Sequence, residues 1–168
     1  MKNLNCEELQ NEYILEMLKY QYGQECAEAF TKIFENRAKI KIQFSKKTNK
    51  IKQILYDDKP ILFYKSSVGR FSLTIYGAYL LHTLLEFPKL RAVVLNSVSN
   101  FIKEGKSVFS HHVIQIDSNL RINDDVLIVN ENDEILGVGK LTLPSQNHIG
   151  FNCGMMIENK KGIKKLGN

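Results

Sequence analysis

No apolar run in this chain approaches the roughly 20 residues that a membrane-spanning helix requires. The N-terminal stretch MKNLNCEELQNEY is polar and acidic, which fits neither a secretory signal nor a transit peptide. A cytoplasmic location is the expectation. Cysteine is scarce: Cys6, Cys26 and Cys153 lie far apart, with no C-x-x-C pair and no histidine at metal-ligand spacing. An odd number of thiols argues against a disulfide framework, and neither a metal site nor a cofactor is expected. Acidic side chains are missing from one long stretch. Residues 37–52 hold Arg37, Lys39, Lys41, Lys46, Lys47, Lys50 and Lys52 without a single Asp or Glu.

What is present is an ordinary globular balance, with 43% hydrophobic and 24% charged residues over 168 positions. That length suits one domain or two small ones. The net charge of +5 is unevenly spread. Residues 1–36 carry seven acids against Lys2, Lys19 and Lys32, while residues 37–168 carry 20 basic and 11 acidic groups. Such asymmetry suits an anionic partner for the later part of the chain, or a lysine-rich solvated surface.

Hydrophobic spacing predicts helix over 7–36, with Gly23 as a break between two helices. From residue 38 the period changes to two. AKIKIQFS alternates lysine with Ile40, Ile42 and Phe44, and IKQILYDD, ILFYKS and RFSLTIY follow at turn signals, which predicts a four-stranded antiparallel meander. GAYLLHTLLEF reads as a helix ended by Pro88, LRAVVLN as a buried strand, and SVSNFIKEGK as a helix capped by Asn96 or Ser97 and stopped by Gly105. Beyond Gly105, SVFSHHVIQID, DDVLIVN, EILGVGKLTL and CGMMIEN are short strands at regular spacing, the pattern of a small all-β barrel. The fold class is therefore α+β, with a domain boundary expected near residue 105: an α+β domain over 1–104 and a barrel over 105–168.

The motifs exclude several chemistries. A phosphate-binding Walker loop needs G-x-x-x-x-G-K-[ST] between a strand and a helix. Gly137–Lys140 offers only GVGK followed by Leu141, with strand on both sides. His111 and His112 are adjacent, so on a strand they point to opposite faces and do not jointly chelate an ion. His82 reads as a helix-surface residue and His148 as a loop residue. Asp57 with Asp58, Asp124 with Asp125, and the acids of 131–134 read as turn residues that satisfy local amides. Gly137 and Gly139 project to one face of their strand, where another backbone, protein or RNA, can approach closely. No set of polar groups converges as an active site would require.

The segments VFSHHV, INDDVLIVNENDEILGVGK and GMMIENKKGIKK, in that order, resemble the PUA domain, a small RNA-binding pseudo-barrel. The likeness covers Ser107 to Lys165, with Asn123 where the family has a turn glycine and Gly137 where it has alanine. Upstream, YQYGQECAEAF and the stretch from KIQFSKKTNK to KLRAVV resemble the domain preceding the PUA barrel in archaeal archaeosine tRNA-guanine transglycosylase and archaeosine synthase. The resemblance implies a non-catalytic RNA-binding protein, encoded apart from the catalytic barrel of a split tRNA-modifying enzyme. Its ligand would be the tRNA acceptor stem and 3′ end, and its partner a separate catalytic chain. A stand-alone PUA protein acting on rRNA in ribosome assembly or translation is the alternative. The residues it implies for RNA contact are Phe109, Ser110, His111, His112, Gly137, Gly139, Lys140, Lys160, Lys161, Lys164 and Lys165. Arg37, Lys39, Lys41, Lys46 and Lys47 form an accessory basic cluster.

Overall fold

Gly23 takes φ = 89°, in the left-handed region that glycine adopts without steric cost. Helix α1 (Cys6–Tyr22) therefore ends there, and α2 (Gln24–Glu35) begins one residue later. The computed structural model describes residues 6–145 and 154–166, with side chains over 10–145 and 154–164. The chain divides into two compact units, 1–72 and 73–168.

In the first unit, α2 buries Cys26, Phe30, Ile33 and Phe34 at the three-to-four-residue spacing of one helix face. Ile14, Leu18 and Tyr22 of α1 are buried as well. The meander follows as β1 (Ile40–Phe44), β2 (Ile51–Tyr56), β3 (Lys59–Lys65) and β4 (Arg70–Leu73), hydrogen-bonded in sequence order. Asp57 and Asp58 form the two-residue turn between β2 and β3, at φ = 52° and 60°. Aspartate tolerates that region, and the primed turn it permits matches strand twist. Gln21 ties α1 to β4 through its amide: Nε2 donates to the Phe71 carbonyl at 2.7 Å, and Oε1 accepts from Phe71 N at 2.9 Å.

In the second unit, α3 (Ile75–Leu84) starts at Thr74, whose side chain accepts from Gly77 N. It is followed by β5 (Arg91–Val94), α4 (Ser99–Lys103), β6 (Val108–Phe109), β7 (Val113–Ile116), β8 (Asp125–Asn130), β9 (Ile135–Leu141) and β10 (Met155–Gly162). The strands form one barrel-like six-stranded sheet in the order β6-β10-β9-β8-β5-β7. The β5–β8 pair is parallel. Its core includes Ala92, Val94, Val126 through Val129, Leu136, Leu141 and Met156, all inaccessible to solvent.

The expected boundary near residue 105 falls inside this second unit. β5 lies between β8 and β7, and its partner β8 is some thirty residues downstream in the sequence, so local patterning does not show which sheet it joins. The expected cap of α4 also differs. Asn96–Val98 form a 3-10 turn, and neither Asn96 nor Ser97 caps with its side chain. The backbone N–H of Asn96 is instead met by the Glu131 carboxylate at 2.8 Å.

Candidate nucleic-acid interface

The two edges of the six-stranded sheet, β6 and β7, are consecutive in the chain. The link between them is the 3-10 turn Ser110–His112, so this turn spans the seam of the barrel. Sequence reading took SVFSHHVIQID as one strand, because Ser-His-His carries no glycine or proline to announce a break. Two hydrogen bonds fix the turn: Ser110 N donates to the Gly154 carbonyl at 3.1 Å, and Leu95 N donates to the His112 carbonyl at 3.0 Å. Ser110 is buried, so it supports the turn from within.

The turn also changes the histidine geometry. On a strand His111 and His112 would face apart, whereas here their ring centroids lie 3.9 Å from each other. The exposed ring of Phe109 stacks beside His111 at 6.0 Å, and Phe109 faces Met155 in register, itself 39% exposed. The seam thus presents an aromatic and apolar ledge with an imidazole at its edge. Burial first, and the neighbouring His111 second, hold His112 below the ordinary imidazole value.

An expected consequence concerns acid. An unfolded imidazole takes up its proton near 6.5, and the folded His112 does so only at lower pH. Between those points the unfolded chain binds the extra proton, so stability falls as pH drops below about 6.5. NMR titration of the imidazole signals should give a His112 midpoint below 6.5, and His111→Ala should move it part of the way back. A wild-type midpoint at or above 6.5 would contradict this geometry.

Gly137 and Gly139 do not face a ligand. Both are buried on β9, and β10 occupies the space their side chains would need. A Cβ at Gly139 would overlap Ile157 and come within 2.9 Å of the Glu158 carbonyl. Gly137 pairs in register with Gly162, and a Cβ on Gly162 would overlap the carbonyl of Lys103 at the end of α4. Asn159 completes this join by donating from Nδ2 to the Ile102 and Lys106 carbonyls at 2.9 and 3.0 Å. The backbone that fills the glycine face is the protein's own.

The lysines separate into engaged and available groups. Lys160 pairs with Asp125, which is buried at 4% and also accepts from Leu73 N at 2.6 Å. Asp125 is therefore a buried strand residue rather than a turn acid. Lys164 pairs with Glu104 at 3.0 Å. Lys161 is exposed and Lys140 half-buried, and neither is engaged by a carboxylate among the described residues. The side chain of Lys165 lies outside the described residues, as do His148 and Cys153. Met155, beside the seam, and Lys161 are six residues apart on β10, a span of roughly 20 Å at about 3.3 Å per residue. The seam ledge and the basic tail are thus two patches on one barrel. In the first unit, Lys39 and Lys41 pair with Asp57 and Asp58, with Lys39 also 5.6 Å from the Tyr56 ring centre. Arg37 and Lys39 lie in a 3-10 turn preceding β1, not on the strand itself.

Residues 12–88 match the family described as the patch-forming domain C2 of tRNA-guanine transglycosylase. Residues 91–163 match the PUA domain. The chain is a C2–PUA tandem. Among curated proteins, it is 35% identical to the tRNA-guanine(15) transglycosylase of Thermococcus onnurineus over 153 residues, covering 91% of this chain and 25% of that protein. Identity reaches 40% over 147 residues with the enzyme of the same name from Methanobrevibacter smithii, covering 87% and 21%. The chain thus spans about a quarter of the length of the curated relatives it matches, corresponding to their C-terminal part. Among solved structures, a hypothetical protein of Pyrococcus horikoshii superposes with a TM-score of 0.69 at 21% identity, over 95% of this chain and 96% of that one. A PUA-domain structure from Aeropyrum pernix gives 0.62 at 18% identity, over 95% and 84%. At these identities the likeness is one of fold.

Sequence reading missed a heavily bonded side chain of the PUA half. Arg91, 2% exposed at the start of β5, uses every donor of its guanidinium. Nε donates to Asp133 Oδ1 at 2.8 Å; one terminal nitrogen serves the Glu86 and Lys89 carbonyls, and the other those of His82 and Leu85. The end of α3 and the β8–β9 hairpin are held through this one residue. His82 is accordingly not isolated: its Nε2 lies 3.3 Å from Asp133 Oδ2, without hydrogen-bond alignment. The available signal was a lone charge opening the buried run LRAVV.

Proposed function

We propose that this C2–PUA tandem is a non-catalytic RNA-binding protein of tRNA modification. Its PUA barrel grips the tRNA acceptor stem and its single-stranded 3′ end. The observation that carries the reading is the seam turn, where the exposed Phe109 ring, His111 and Met155 form one ledge. A base freed from its stack can lie on such an aromatic surface, and unpaired ends are where proteins reach RNA bases. Similarity to tRNA-guanine(15) transglycosylases supports tRNA as the RNA. Lys140 and Lys161 are the lysines available for phosphate. Lys160 and Lys164, committed to Asp125 and Glu104, contribute less.

Recognition on this account is by shape and phosphate, which suits A-form RNA, whose deep major groove side chains do not read. The transglycosylase chemistry would come from a separate catalytic chain in the cytoplasm. Copurification of the chain with a transglycosylase-like or synthase-like protein is the outcome expected for that part of the reading, and its absence would count against it.

The test is tRNA binding measured at rising salt. Affinity should fall linearly on a log–log plot, and Lys161→Glu should make that slope shallower by about one unit. Phe109→Ala should weaken binding roughly 5-fold or more by removing a stacking surface. Tighter binding to an rRNA fragment than to tRNA would redirect the reading to ribosome assembly. No binding at low salt, with or without the catalytic chain, would overturn it.

A further inference from the structure

Helix α1 of the C2 half carries apolar side chains on two faces. Ile14, Leu18 and Tyr22 are buried on the inner one. On the opposite side Tyr13 is 60% and Tyr20 96% exposed, and Met17 between them is half-buried. Positions 13, 16, 17 and 20 are spaced i, i+3, i+4 and i+7, which places them on one stripe of a helix. Glu16 stands in that stripe, and the exposed Glu12 lies at its border. Glu12, Tyr13, Glu16 and Tyr20 form no side-chain hydrogen bond or ion pair among the described residues. Helix α2 lacks such a second apolar face: its exposed positions are Gln24, Glu25, Glu28, Thr31, Lys32 and Glu35, all polar.

Tyrosine and methionine are enriched at the centres of protein–protein contacts, and anchors at i, i+4 and i+7 are how a helix lies in a groove. The charge narrows the occupant. Over Cys6–Tyr22, Glu7, Glu8, Glu12 and Glu16 stand against Lys19 alone. That excess repels phosphate, so the face is not one for RNA. A second copy laid on it would set like charge against like. A protein groove rimmed by lysine or arginine is complementary. Chain continuity points to its owner. In the tRNA-guanine(15) transglycosylases the matched part is C-terminal and about a quarter of the length, so most of the enzyme precedes α1. The match to the C2 family opens at residue 12, inside α1. Of the elements in the tandem, α1 follows the rest of the enzyme most closely in sequence.

We propose that the outer face of α1, anchored by Tyr13, Met17 and Tyr20, is the docking surface for the catalytic chain, which receives it in an apolar groove with a basic rim. This rests on the reading that the transglycosylase chemistry comes from a separate chain, and it uses none of the seam residues. In the test, p-benzoylphenylalanine replaces Tyr20 in the full chain, which is irradiated in a lysate of the native cells. Mass spectrometry of the adduct should identify a transglycosylase-like or synthase-like chain. The same label at Lys32, on the polar face of α2, should give little of that adduct. Copurification of the catalytic chain should fall about 10-fold or more for Tyr13→Ala with Tyr20→Ala, and likewise for Glu12→Lys with Glu16→Lys. The tyrosine variant should keep the wild-type circular dichroism and bind tRNA within about two-fold, because the two surfaces share no residue. An adduct with RNA, with a second copy or with a ribosomal protein would overturn the proposal. Copurification unchanged in both double variants would overturn it too, while leaving the split-enzyme reading in place. If no such chain copurifies with wild-type protein, the split-enzyme reading falls and this surface assignment with it.

Discussion

Arg91→Met is expected to destabilise the PUA half by about 3–5 kcal/mol, the range for removing one partner of a buried charged network. Five hydrogen bonds end at this guanidinium, four of them on backbone carbonyls at the end of α3 and in the turn after it; of these, the Glu86 carbonyl also accepts from Lys89 N. Methionine matches the length of arginine and supplies no N–H, so these carbonyls lose the guanidinium donor at a largely enclosed site. A whole domain is stable by about 5–15 kcal/mol, so a large part of the margin would go. Arg91→Lys should recover only part of the loss, because one ammonium does not reach both the helix end and Asp133. Asp133→Asn should cost less, about 1 kcal/mol, since that carboxylate is 39% exposed. Urea unfolding of the three variants checks the order Met, Lys, Asn from worst to mildest. A loss under about 1 kcal/mol for Arg91→Met would show that the network contributes little.

The second large effect is expected at Gly162. Its partner across the sheet is Gly137, and the carbonyls of Ile102 and Lys103 close over the pair. Alanine at Gly162 would overlap backbone rather than the end of a flexible side chain, so α4 or β10 must shift. The expected cost is about 3 kcal/mol, at the upper end of overpacking penalties. Hydrogen exchange should then rise first around 99–106, where α4 and Asn159 make their join. At Gly23, by contrast, a Cβ meets nothing within 4 Å. Gly23→Ala strains only the backbone, and about 1–3 kcal/mol is expected from its φ of 89° and ψ of 172°.

These two sites show how far the sequence could be read. Helices α1 and α2, the break at Gly23 and the four-stranded meander follow from local periodicity and turn chemistry, and they are legible residue by residue. The barrel was legible as a class because its strands are short and evenly spaced. What could not be read is whatever depends on contacts distant in sequence. The parallel β5–β8 pair moves β5 across the expected boundary, and the Ser110–His112 turn exchanges one sheet edge for the other without a breaker residue. Asp125 looked like its neighbour Asp124, and only the fold brings Lys160 to it. Gly137 and Gly139 were recognised as a place of close approach, but the approaching backbone is that of β10, about twenty residues further along the chain. Counting lysines overstated the basic tail for the same reason, since Asp125 and Glu104 come from remote strands and turns.

The most direct measurement of the central claim is a hydrogen-exchange footprint of the full chain with and without tRNA at low salt. The account predicts slowed exchange at the seam, over 108–113 and at the start of β10 near Met155, and around Lys161. Protection should disappear when salt is raised. Binding that leaves 108–113 and 155–161 unprotected would contradict the account, because the RNA would then lie on a surface other than the barrel seam.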